Sequence, residues 1–417
     1  MAYKILVVVD SIDVNDSSGS KANVALIKGL LDVGFQVSVY HYTRRSLHIE
    51  NAICFEIKEK KSNILYLFSR AQRVIQRTFK INLAKYLEPL FGFSFTFFND
   101  VNSIKAALSK VDISNIDLVL TLSKAASFRP HYVINQLPRF HHKWMAYIHD
   151  PYPFNRYPKP YDWKEPGYKI KERFFHSLSN NAKYAAFPSL LLKEWMGKTF
   201  KNFNITGIVI PHQIINVNIK EEVPPAYFEN EKFNVLHAGS LMKQRNPEGL
   251  IKGFQLFLEN NVEAQRDSRL ILIGGADYHE QMIENYAKRI PQLEIHLRNI
   301  PFQDVNWLQN HVSANIILEA NAEESPFLPG KFPHCVWANK PIIHLGPEQS
   351  ETRRLLGSHH PYCSVINNVN NIAEILQQLY LTWKDANQIL TLDRLDLEYY
   401  LGKNYLKSKL EAIFNND

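Results

Sequence analysis

The chain has 417 residues, 45% of them hydrophobic, and a formal net charge of +7. This length exceeds one ordinary domain and allows a large buried core, so two or three globular domains are expected. The longest apolar run near the N-terminus, residues 5–9, is far shorter than a membrane span and lacks a cleavage-site pattern, which predicts a strand rather than a signal peptide and a cytoplasmic location.

The three cysteines, Cys54, Cys335 and Cys363, are odd in number and show no CxxC or Cys/His metal-ligand spacing. An even number of cysteines is typical of disulfide frameworks, and CxxC or Cys/His spacings are typical of structural zinc sites. We therefore expect reduced thiols and no structural zinc.

The first hundred residues begin with the pattern of a doubly wound sheet. Its predicted elements are a strand at 4–10, a polar loop at 11–20, a helix at about 21–33 and a strand at 34–40. Ligands of such sheets lie beyond the carboxyl ends of the strands, so the loop residues Ser18, Gly19 and Ser20 are candidates for the acceptor side of a site. The loop has no GxGxxG pattern and no acidic residue closes the second strand, which disfavours nicotinamide dinucleotides.

Residues 58–85 carry the whole excess of positive charge, because eight basic residues stand against Glu59 alone. Apolar residues recur among them at roughly helical spacing. An amphipathic basic helix lying on an anionic membrane fits this pattern, which would place the protein at the inner face of the membrane. The alternative is a helix packed on its own domain with a solvated basic face. A nucleic-acid binder would spread its charge along a groove, so nucleic acid is not expected.

Further apolar runs at residues 116–122 and 144–150 continue the first sheet, and the second run ends in His149 and Asp150. A domain boundary is predicted after residues 208–212, where a polar stretch follows. That stretch contains Glu221, Glu222, Pro224 and Pro225. The predicted domains are residues 1–212 and 213–395.

The second half repeats the α/β pattern. Its predicted elements are a strand at 233–239, a loop containing Lys243 and Arg245, a helix at about 247–259 and strands at 269–275, 315–319 and 341–345. Two Rossmann-like halves in sequence place a cleft between them.

Residues 324–343 are the most informative stretch of the chain. Pro329 and Gly330 predict a tight turn, Lys331 adds a cation, and Pro333 suits the first turn of a helix that Asn339 would close. Free backbone donors and the positive end of the helix dipole would then face one anionic group. An ordinary connection between a helix and a strand is the alternative.

Three segments of the second half, residues 239–247, 270–275 and 325–341, resemble the donor domain of GT-B glycosyltransferases of the retaining family 4 type, the glycosyl transferases group 1. The last segment is similar to a family pattern of roughly SPFLPSKxxEYxAxGxP. The resemblance implies an α/β fold of two Rossmann-like, doubly wound domains facing across a cleft. It also implies a final helix, within residues 396–417, that crosses back to the first domain.

The same resemblance implies a nucleotide-sugar donor, either a UDP-sugar or a GDP-sugar, whose diphosphate is the leaving group. Arg245 and Lys331, with the amides around Gly239 and Gly330, would stabilise its charge without a metal ion or other cofactor. The donor-binding residues expected on this basis are Gly239, Ser240, Lys243, Arg245, Glu324, Gly330, Lys331 and His334.

On the first domain, His149 and Asp150 are the candidate catalytic residues. A retaining enzyme of this type uses front-face attack, in which the leaving phosphate receives the acceptor proton. His149 would position hydroxyl or backbone groups, and Asp150 would orient His149 or the acceptor. In an inverting enzyme, Asp150 would be the general base.

One position departs from the family pattern. Of the two glutamates that family members carry eight residues apart, the second falls on His334 and the first on Pro326. A neutral imidazole can still bond a ribose hydroxyl. The sequence thus predicts a glycosyltransferase acting on a glycan or lipid-linked acceptor in bacterial surface polysaccharide or glycoconjugate synthesis. A degenerate, non-catalytic GT-B subunit and a GT-B-shaped sugar-nucleotide epimerase are the alternatives.

Overall fold

The computed structural model describes residues 2–214 and 224–415. The chain divides into two compact units, the first comprising Met1–Tyr157, Asp162–Ile215 and Tyr400–Asp417, and the second Pro158–Tyr161 and Asn216–Tyr399. The sequence did not predict that residues 158–161 group with the second unit. Of the polar stretch predicted at the boundary, Glu221 and Glu222 lie outside the described residues.

The first unit contains a seven-stranded sheet in its described part. Its strands are β1 (Lys4–Val9), β2 (Gln36–His41), β3 (Ile53–Glu56), β4 (Leu118–Leu122), β5 (Trp144–Tyr147), β6 (Tyr184–Phe187) and β7 (Gly207–Val209). The order is β3-β2-β1-β4-β5-β6-β7, and every neighbouring pair is parallel. Strands β1 and β4 are apolar runs buried on both faces, as in a sheet covered on both sides. The order reverses between β1 and β4, and this topological switch point is where such sheets bind ligands.

Helices cover this sheet. They are α1 (Ser18–Asp32), α2 (Ile64–Phe79), α3 (Ala84–Phe91), α4 (Phe95–Leu108), α5 (Arg129–Asn135), α6 (Tyr168–Asn181), α7 (Leu190–Thr199) and α8 (Phe203–Thr206). The last helix of the chain also belongs to this unit, since Phe414 stacks on Tyr3 with ring centroids 4.0 Å apart. Leu406 lies against Gly29 of α1.

The first helix begins earlier than predicted. The Ser17 side chain accepts a hydrogen bond from the Ser20 amide, so Ser17 is the N-cap of α1. Ser18, Gly19 and Ser20 therefore form the first helical turn, and the prediction that they form a loop is wrong. Ser20 is fully buried and Ser18 is exposed.

The second unit repeats the same topology with six strands in its described part. The strands of this sheet are β8 (Phe233–Ala238), β9 (Ser268–Ile273), β10 (Leu293–His296), β11 (Ala314–Leu318), β13 (Ile342–Leu345) and β15 (Cys363–Ser364). Their order is β10-β9-β8-β11-β13-β15, with the switch point between β8 and β11. A separate parallel pair is formed by β12 (Glu324–Ser325) and β14 (Gln349–Ser350).

The helices around the second sheet bury a continuous apolar core against it. They are α9 (Glu248–Asn260), α10 (Ala264–Asp267), α11 (Glu280–Ala287), α12 (Phe302–His311), α13 (Phe332–Trp337), α14 (Glu351–Leu356) and α15 (Val369–Asp385), and the chain continues into α16 (Leu395–Tyr400) and α17 (Lys403–Phe414). Asn339 follows α13 with φ 49°, the left-handed conformation predicted for it. Its side-chain oxygen also accepts the backbone N–H groups of Leu392 and Asp393.

Within the described residues, no helix combines the length and apolar character needed to cross a bilayer.

Candidate functional site

The side chain of Lys331 lies at the switch point of the second sheet. Its Nζ is 3.1 Å from Nδ1 of His237 and donates a hydrogen bond of 3.2 Å to the carbonyl oxygen of Ile316. His237 belongs to β8 and Ile316 to β11, the two strands between which the strand order reverses. The ammonium group is thus held at the position where sheets of this topology bind ligands.

His237 is a neutral imidazole beside this lysine. Burial lowers its pKa well below the usual histidine value, and the charge of Lys331 lowers it further. Its Nδ1 lies 3.1 Å from Nζ of Lys331 and 3.3 Å from the carbonyl oxygen of Ile316, so it accepts from the lysine in one tautomer and donates to the carbonyl in the other. Nε2 is buried and has no hydrogen-bond partner among the described residues, so it is available to a ligand.

Gly239 leaves room in front of these two groups. A Cβ at this position would lie 3.3 Å from Nζ of Lys331 and 3.7 Å from Nε2 of His237. Any larger residue would fill the space that a ligand atom could occupy. The glycine thus gives a ligand access to both nitrogens.

The charge of Lys331 is destabilised in the absence of an anion. Burial lowers the pKa of Lys331 to about 7, and repulsion from Arg245 contributes to the shift. Nε of Arg245 is also buried without a hydrogen-bond partner in the described part of the chain. An anionic group placed here would stabilise both cations and satisfy the open donors.

Glycines also set the close approach of the loops that follow β8 and β9. Gly274 has φ 130°, and a Cβ there would lie 2.4 Å from the carbonyl oxygen of Gly239. By contrast, a Cβ on Gly275 or Gly330 would meet no atom within 4 Å. Only Gly274 is thus required by backbone packing, whereas the other two face open space.

Glu319, at the end of β11, is a buried carboxylate that the sequence analysis did not single out. It accepts a 2.6 Å hydrogen bond from Thr352 and lies 3.3 Å from Nε2 of His344. Burial disfavours its charge, but the bond and charge of His344 together with the hydroxyls of Ser325 and Thr352 outweigh this and lower its pKa. The pKa of His344 rises to about 9 despite its burial, because Cys363 and Glu319 both bond to it. Glu319 and His344 therefore form a buried ion pair, and a charged residue ending a buried strand is the signal that could have identified it.

The start of α13 offers few free backbone donors. The N–H of Phe332 donates to the carbonyl oxygen of Pro329, and Pro333 has no N–H. The helix is only six residues long, so its dipole is small. The side-chain cations are therefore the main positive groups at this site, and contact of an anion with the amides around Gly330 stays a prediction.

The other predicted donor-side residues lie around this cluster in several environments. Ser240 and Lys243 are exposed after β8, Gly330 is exposed beside Lys331, and Glu324 lies half-buried in β12. His334 is buried in α13, with its ring centroid 5.1 Å from that of Phe302. Of the predicted set, Gly239, Arg245 and Lys331 are the residues whose mutual proximity the structure documents.

In the first unit, His149 follows β5 at the carboxyl edge of the sheet. Its Nε2 is 2.8 Å from Oδ1 of Asn23, whose Nδ2 donates to the carbonyl oxygen of Ser123. That second bond fixes Asn23 Oδ1 as an acceptor, so His149 carries its proton on Nε2. Its Nδ1 is a buried acceptor without a partner among the described residues. Burial and the neighbouring His212 keep the pKa of His149 well below the usual value, so the ring is neutral.

Asn23 was not among the predicted residues, although it orients His149. It is fully buried on α1, one turn after Ser20. A polar residue on the apolar face of the first helix was the available signal. Asp150 follows His149 and is half-buried.

Carboxylates at the same edge are paired within the unit. Asp10, at the end of β1, accepts hydrogen bonds from the Ser127 hydroxyl and the Lys124 amide. Asp100 accepts from Arg44 at 2.5 Å and from Arg129 at 2.9 Å. Burial raises the pKa of Asp10 despite the nearby Arg129. These acids are held by their own neighbours, and within the described residues no cluster of three or more His, Cys, Asp or Glu side chains could hold a metal ion.

Solved structures resemble the whole chain at low sequence identity. They include a glycosyltransferase from Rickettsia africae (TM-score 0.61, 12% identity, 100% of this chain and 98% of that one). HepE from Anabaena, in complex with UDP and glucose, gives a TM-score of 0.60 at 10% identity, with 100% of both chains covered. A UDP-forming α,α-trehalose-phosphate synthase from Burkholderia vietnamiensis gives 0.64 at 10% identity, covering 100% of this chain and 99% of that one. No protein-family model and no curated protein sequence matches the chain.

These similarities and the two parallel sheets show that the chain has the two-domain, Rossmann-like GT-B fold. The predicted fold class is confirmed. At this level of identity the similarity establishes the fold alone.

Proposed function

We propose that this protein is a glycosyltransferase that moves a sugar from a nucleotide-sugar donor to a glycan or lipid-linked acceptor. The observation that carries the proposal is the placement of Lys331 between β8 and β11, beside unpartnered buried nitrogens of His237 and Arg245, in a domain of GT-B fold. The ligand that suits this arrangement is a diphosphate, since it has several acceptor oxygens and delocalised negative charge.

In the proposed reaction, the acceptor oxygen attacks the anomeric carbon while the bond from that carbon to the donor phosphate breaks. Negative charge then develops on the departing diphosphate. Lys331 and Arg245 stabilise that charge by electrostatics, and the unpartnered Nε2 of His237 donates a further hydrogen bond in the tautomer that carries the ring proton there. Cationic side chains supply this stabilisation in the proposed mechanism, which needs no metal ion.

We propose retention of anomeric configuration. In this mechanism the leaving phosphate oxygen accepts the proton of the attacking hydroxyl, so no general base is required. The neutral His149, with its open Nδ1 acceptor, is then suited to orient a sugar or acceptor hydroxyl. Its depressed pKa makes it a weak base, which agrees with a positioning function.

The finer assignment to the family 4 type rests on residues 239–247 and 325–341, which resemble the family pattern. UDP-sugars and GDP-sugars both fit the proposed site, and HepE, solved with UDP and glucose, makes UDP-glucose the first donor to test. The setting that we propose is bacterial surface polysaccharide or glycoconjugate synthesis on the cytoplasmic side of the membrane.

A second candidate function is that of a non-catalytic GT-B subunit supporting a partner transferase. The observation that favours it is His334, which stands where the family pattern has a ribose-binding glutamate. It is buried against Phe302. A protein that binds no nucleotide would be consistent with a non-catalytic subunit.

The test is incubation with UDP- and GDP-sugars, with and without candidate glycan and lipid-linked acceptors, followed by product analysis. Transfer of the sugar, or slow release of free sugar and nucleotide diphosphate, is the expected result. Conversion of the donor to another sugar nucleotide without acceptor would instead indicate an epimerase. Thermal-shift measurements with UDP, GDP and their sugars separate the non-catalytic candidate, because a site that binds no nucleotide gives no stabilisation.

A further inference from the structure

Helix α2 turns its polar side towards its own domain. Ser69 and Gln72 are the buried residues of this helix among those described. The Ser69 hydroxyl bonds to Thr96 at 3.2 Å, and Oε1 of Gln72 accepts the amide of Phe95 at 3.0 Å. A surface helix of a globular protein ordinarily buries its apolar stripe, so α2 is inverted.

The apolar side of α2 consequently faces solvent. It consists of residues at spacings of three and four, namely Ile64, Leu67, Phe68, Val74, Ile75 and Phe79, whose exposed fractions range from 36% to 66%. Ile81, Tyr86, Leu90 and Phe91 extend the exposed set into α3. Of 23 large apolar side chains exposed in the described residues, ten lie between residues 64 and 91. Such clustering marks an interaction surface rather than scattered exposure.

Aromatic contacts join the two helices into one surface. Phe95, at the start of α4, has its ring centroid 5.2 Å from that of Phe68 and 5.8 Å from that of Phe91. Buried Lys171 donates to Glu88 of α3 at 2.7 Å and to Glu165 at 2.5 Å, which ties α3 to the body of the unit. The surface formed by α2 and α3, called here the α2–α3 surface, is therefore held in place by the domain.

Basic residues border the apolar side. Arg70, Arg73 and Arg77 follow the helical repeat along an adjacent face of α2, and Lys80 and Lys85 lie in the turn and at the start of α3. Arg73 pairs with Glu59 at 3.1 Å. Arg77, Lys80 and Lys85 are exposed and form no ion pair with any residue that the structure describes.

We propose that the α2–α3 surface docks on an anionic lipid bilayer. Apolar side chains would enter the boundary between headgroups and acyl chains, while the long basic side chains reach the anionic headgroups. The sequence also left open a helix packed on its own domain with a solvated basic face. The structure agrees with it in part, since α2 packs on its domain through Ser69 and Gln72, but that interpretation does not explain why the apolar side also faces solvent.

A second copy of the chain is a less suitable occupant. A two-fold interface would set the basic borders of two copies against each other, and residues 58–85 carry a net charge of +7 in each copy. Nucleic acid would contact only the basic residues of this surface, and its exposed apolar side chains would then have no function. The membrane proposal does not depend on glycosyl transfer, so it can fail or succeed independently.

The test is flotation of the full chain with vesicles of phosphatidylcholine alone, or of equal parts phosphatidylcholine and phosphatidylglycerol. Wild-type protein is expected to float with the anionic vesicles only. The double variant Leu67→Gln and Phe79→Gln should bind them at least about tenfold more weakly, because both side chains are exposed anchors on the apolar side. The triple variant Arg77→Gln, Lys80→Gln and Lys85→Gln should lose binding and its salt dependence.

Matched controls change similar side chains elsewhere. Leu381→Gln with Leu395→Gln removes two exposed leucines, and Lys28→Gln with Lys110→Gln and Lys201→Gln removes three exposed charges. Both should float like the wild type, and circular dichroism should show that all variants are folded. Equal binding of the wild type and the α2–α3 variants, or binding indifferent to lipid charge, would overturn the proposal. So would a lipid-free dimer, seen in sedimentation velocity, that Leu67→Gln abolishes.

Discussion

The two sheets have equivalent strand orders, but their carboxyl edges differ in charge: carboxylates and a neutral histidine lie at the first, and cations at the second. At the first edge, Asp10 and Asp100 are held by hydrogen bonds and arginines of their own unit, and His149 is neutral. At the second edge, Lys331 and Arg245 form no ion pair with any residue that the structure describes, and the nearby Glu319 is paired with His344. The fold provides a switch point in each sheet, and the unpaired positive charge of Lys331 and Arg245 makes the second one suitable for an anion.

The two edges are also built differently. Side-chain hydrogen bonds connect the strand ends of the first sheet: Ser127 donates to Asp10, and Asn23 donates to the Ser123 carbonyl oxygen and accepts from His149. At the second edge, the backbones of Gly239 and Gly274 lie close together, and the missing side chain of Gly239 leaves space in front of Lys331. The polar network of the first edge can hold the neutral His149 in place, whereas the glycines of the second edge give a bulky ligand access to the charged Lys331.

Replacing Gly274 by alanine should have the largest effect on stability. Its φ of 130° and the 2.4 Å approach of a Cβ to the Gly239 carbonyl oxygen make any side chain strained. We expect a loss of about 2–4 kcal/mol in the free energy of unfolding, measured by urea denaturation. Gly275→Ala is the matched control, since a Cβ there meets no atom within 4 Å, and equal losses in both variants would refute the glycine argument.

Substitution of His149 tests the first edge. His149→Ala should lower the transfer rate by about tenfold to a hundredfold while nucleotide affinity stays unchanged, because it removes the proposed hydrogen bond that orients a sugar or acceptor hydroxyl. His142→Ala removes an exposed histidine of the same unit and should leave the rate unchanged. A weaker nucleotide affinity in His149→Ala would contradict the division of labour between the two edges.

The pH dependence of donor affinity tests whether the charge of Lys331, at the second edge, contributes to donor binding. Lys331 has a pKa of about 7 in the free protein, and a bound diphosphate raises it, so binding takes up a proton above that pH. The dissociation constant for UDP-glucose should rise by up to about tenfold per pH unit between about pH 7 and 8.5. Lys331→Arg stays charged and should remove this slope. A wild-type affinity independent of pH would contradict a lysine that is largely neutral in the free protein and becomes charged when the diphosphate binds.

Much of the scaffold could be predicted from sequence. Buried parallel strands such as residues 4–10 and 233–239 appear as apolar runs followed by glycine or polar residues, so the two doubly wound halves were recognisable. Lys331 and Arg245 were predicted as donor-side cations from a turn signal and the family resemblance. Asn339 was predicted in its left-handed conformation from its place after a short helix.

Other features depend on contacts distant in sequence. His237 is 94 residues from Lys331, and Asn23 is 126 residues from His149, so no local pattern connects either pair. The first turn of α1 was mistaken for a loop because Ser and Gly residues favour loops until one serine acts as a cap. The orientation of α2 could not be predicted, since amphipathic spacing does not say which side faces the domain.

The most direct test of the central claim is calorimetric titration of UDP-glucose and GDP-mannose into the wild type, Lys331→Ala and Lys288→Ala. Lys288 is an exposed lysine of the same unit and serves as the control. We predict that one of the two donors binds the wild type and Lys288→Ala equally, and binds Lys331→Ala about a hundredfold more weakly because a half-buried, charged hydrogen-bond donor is lost. Equal affinity in Lys331→Ala, or no binding of any nucleotide sugar to the wild type, would contradict the assignment of this site.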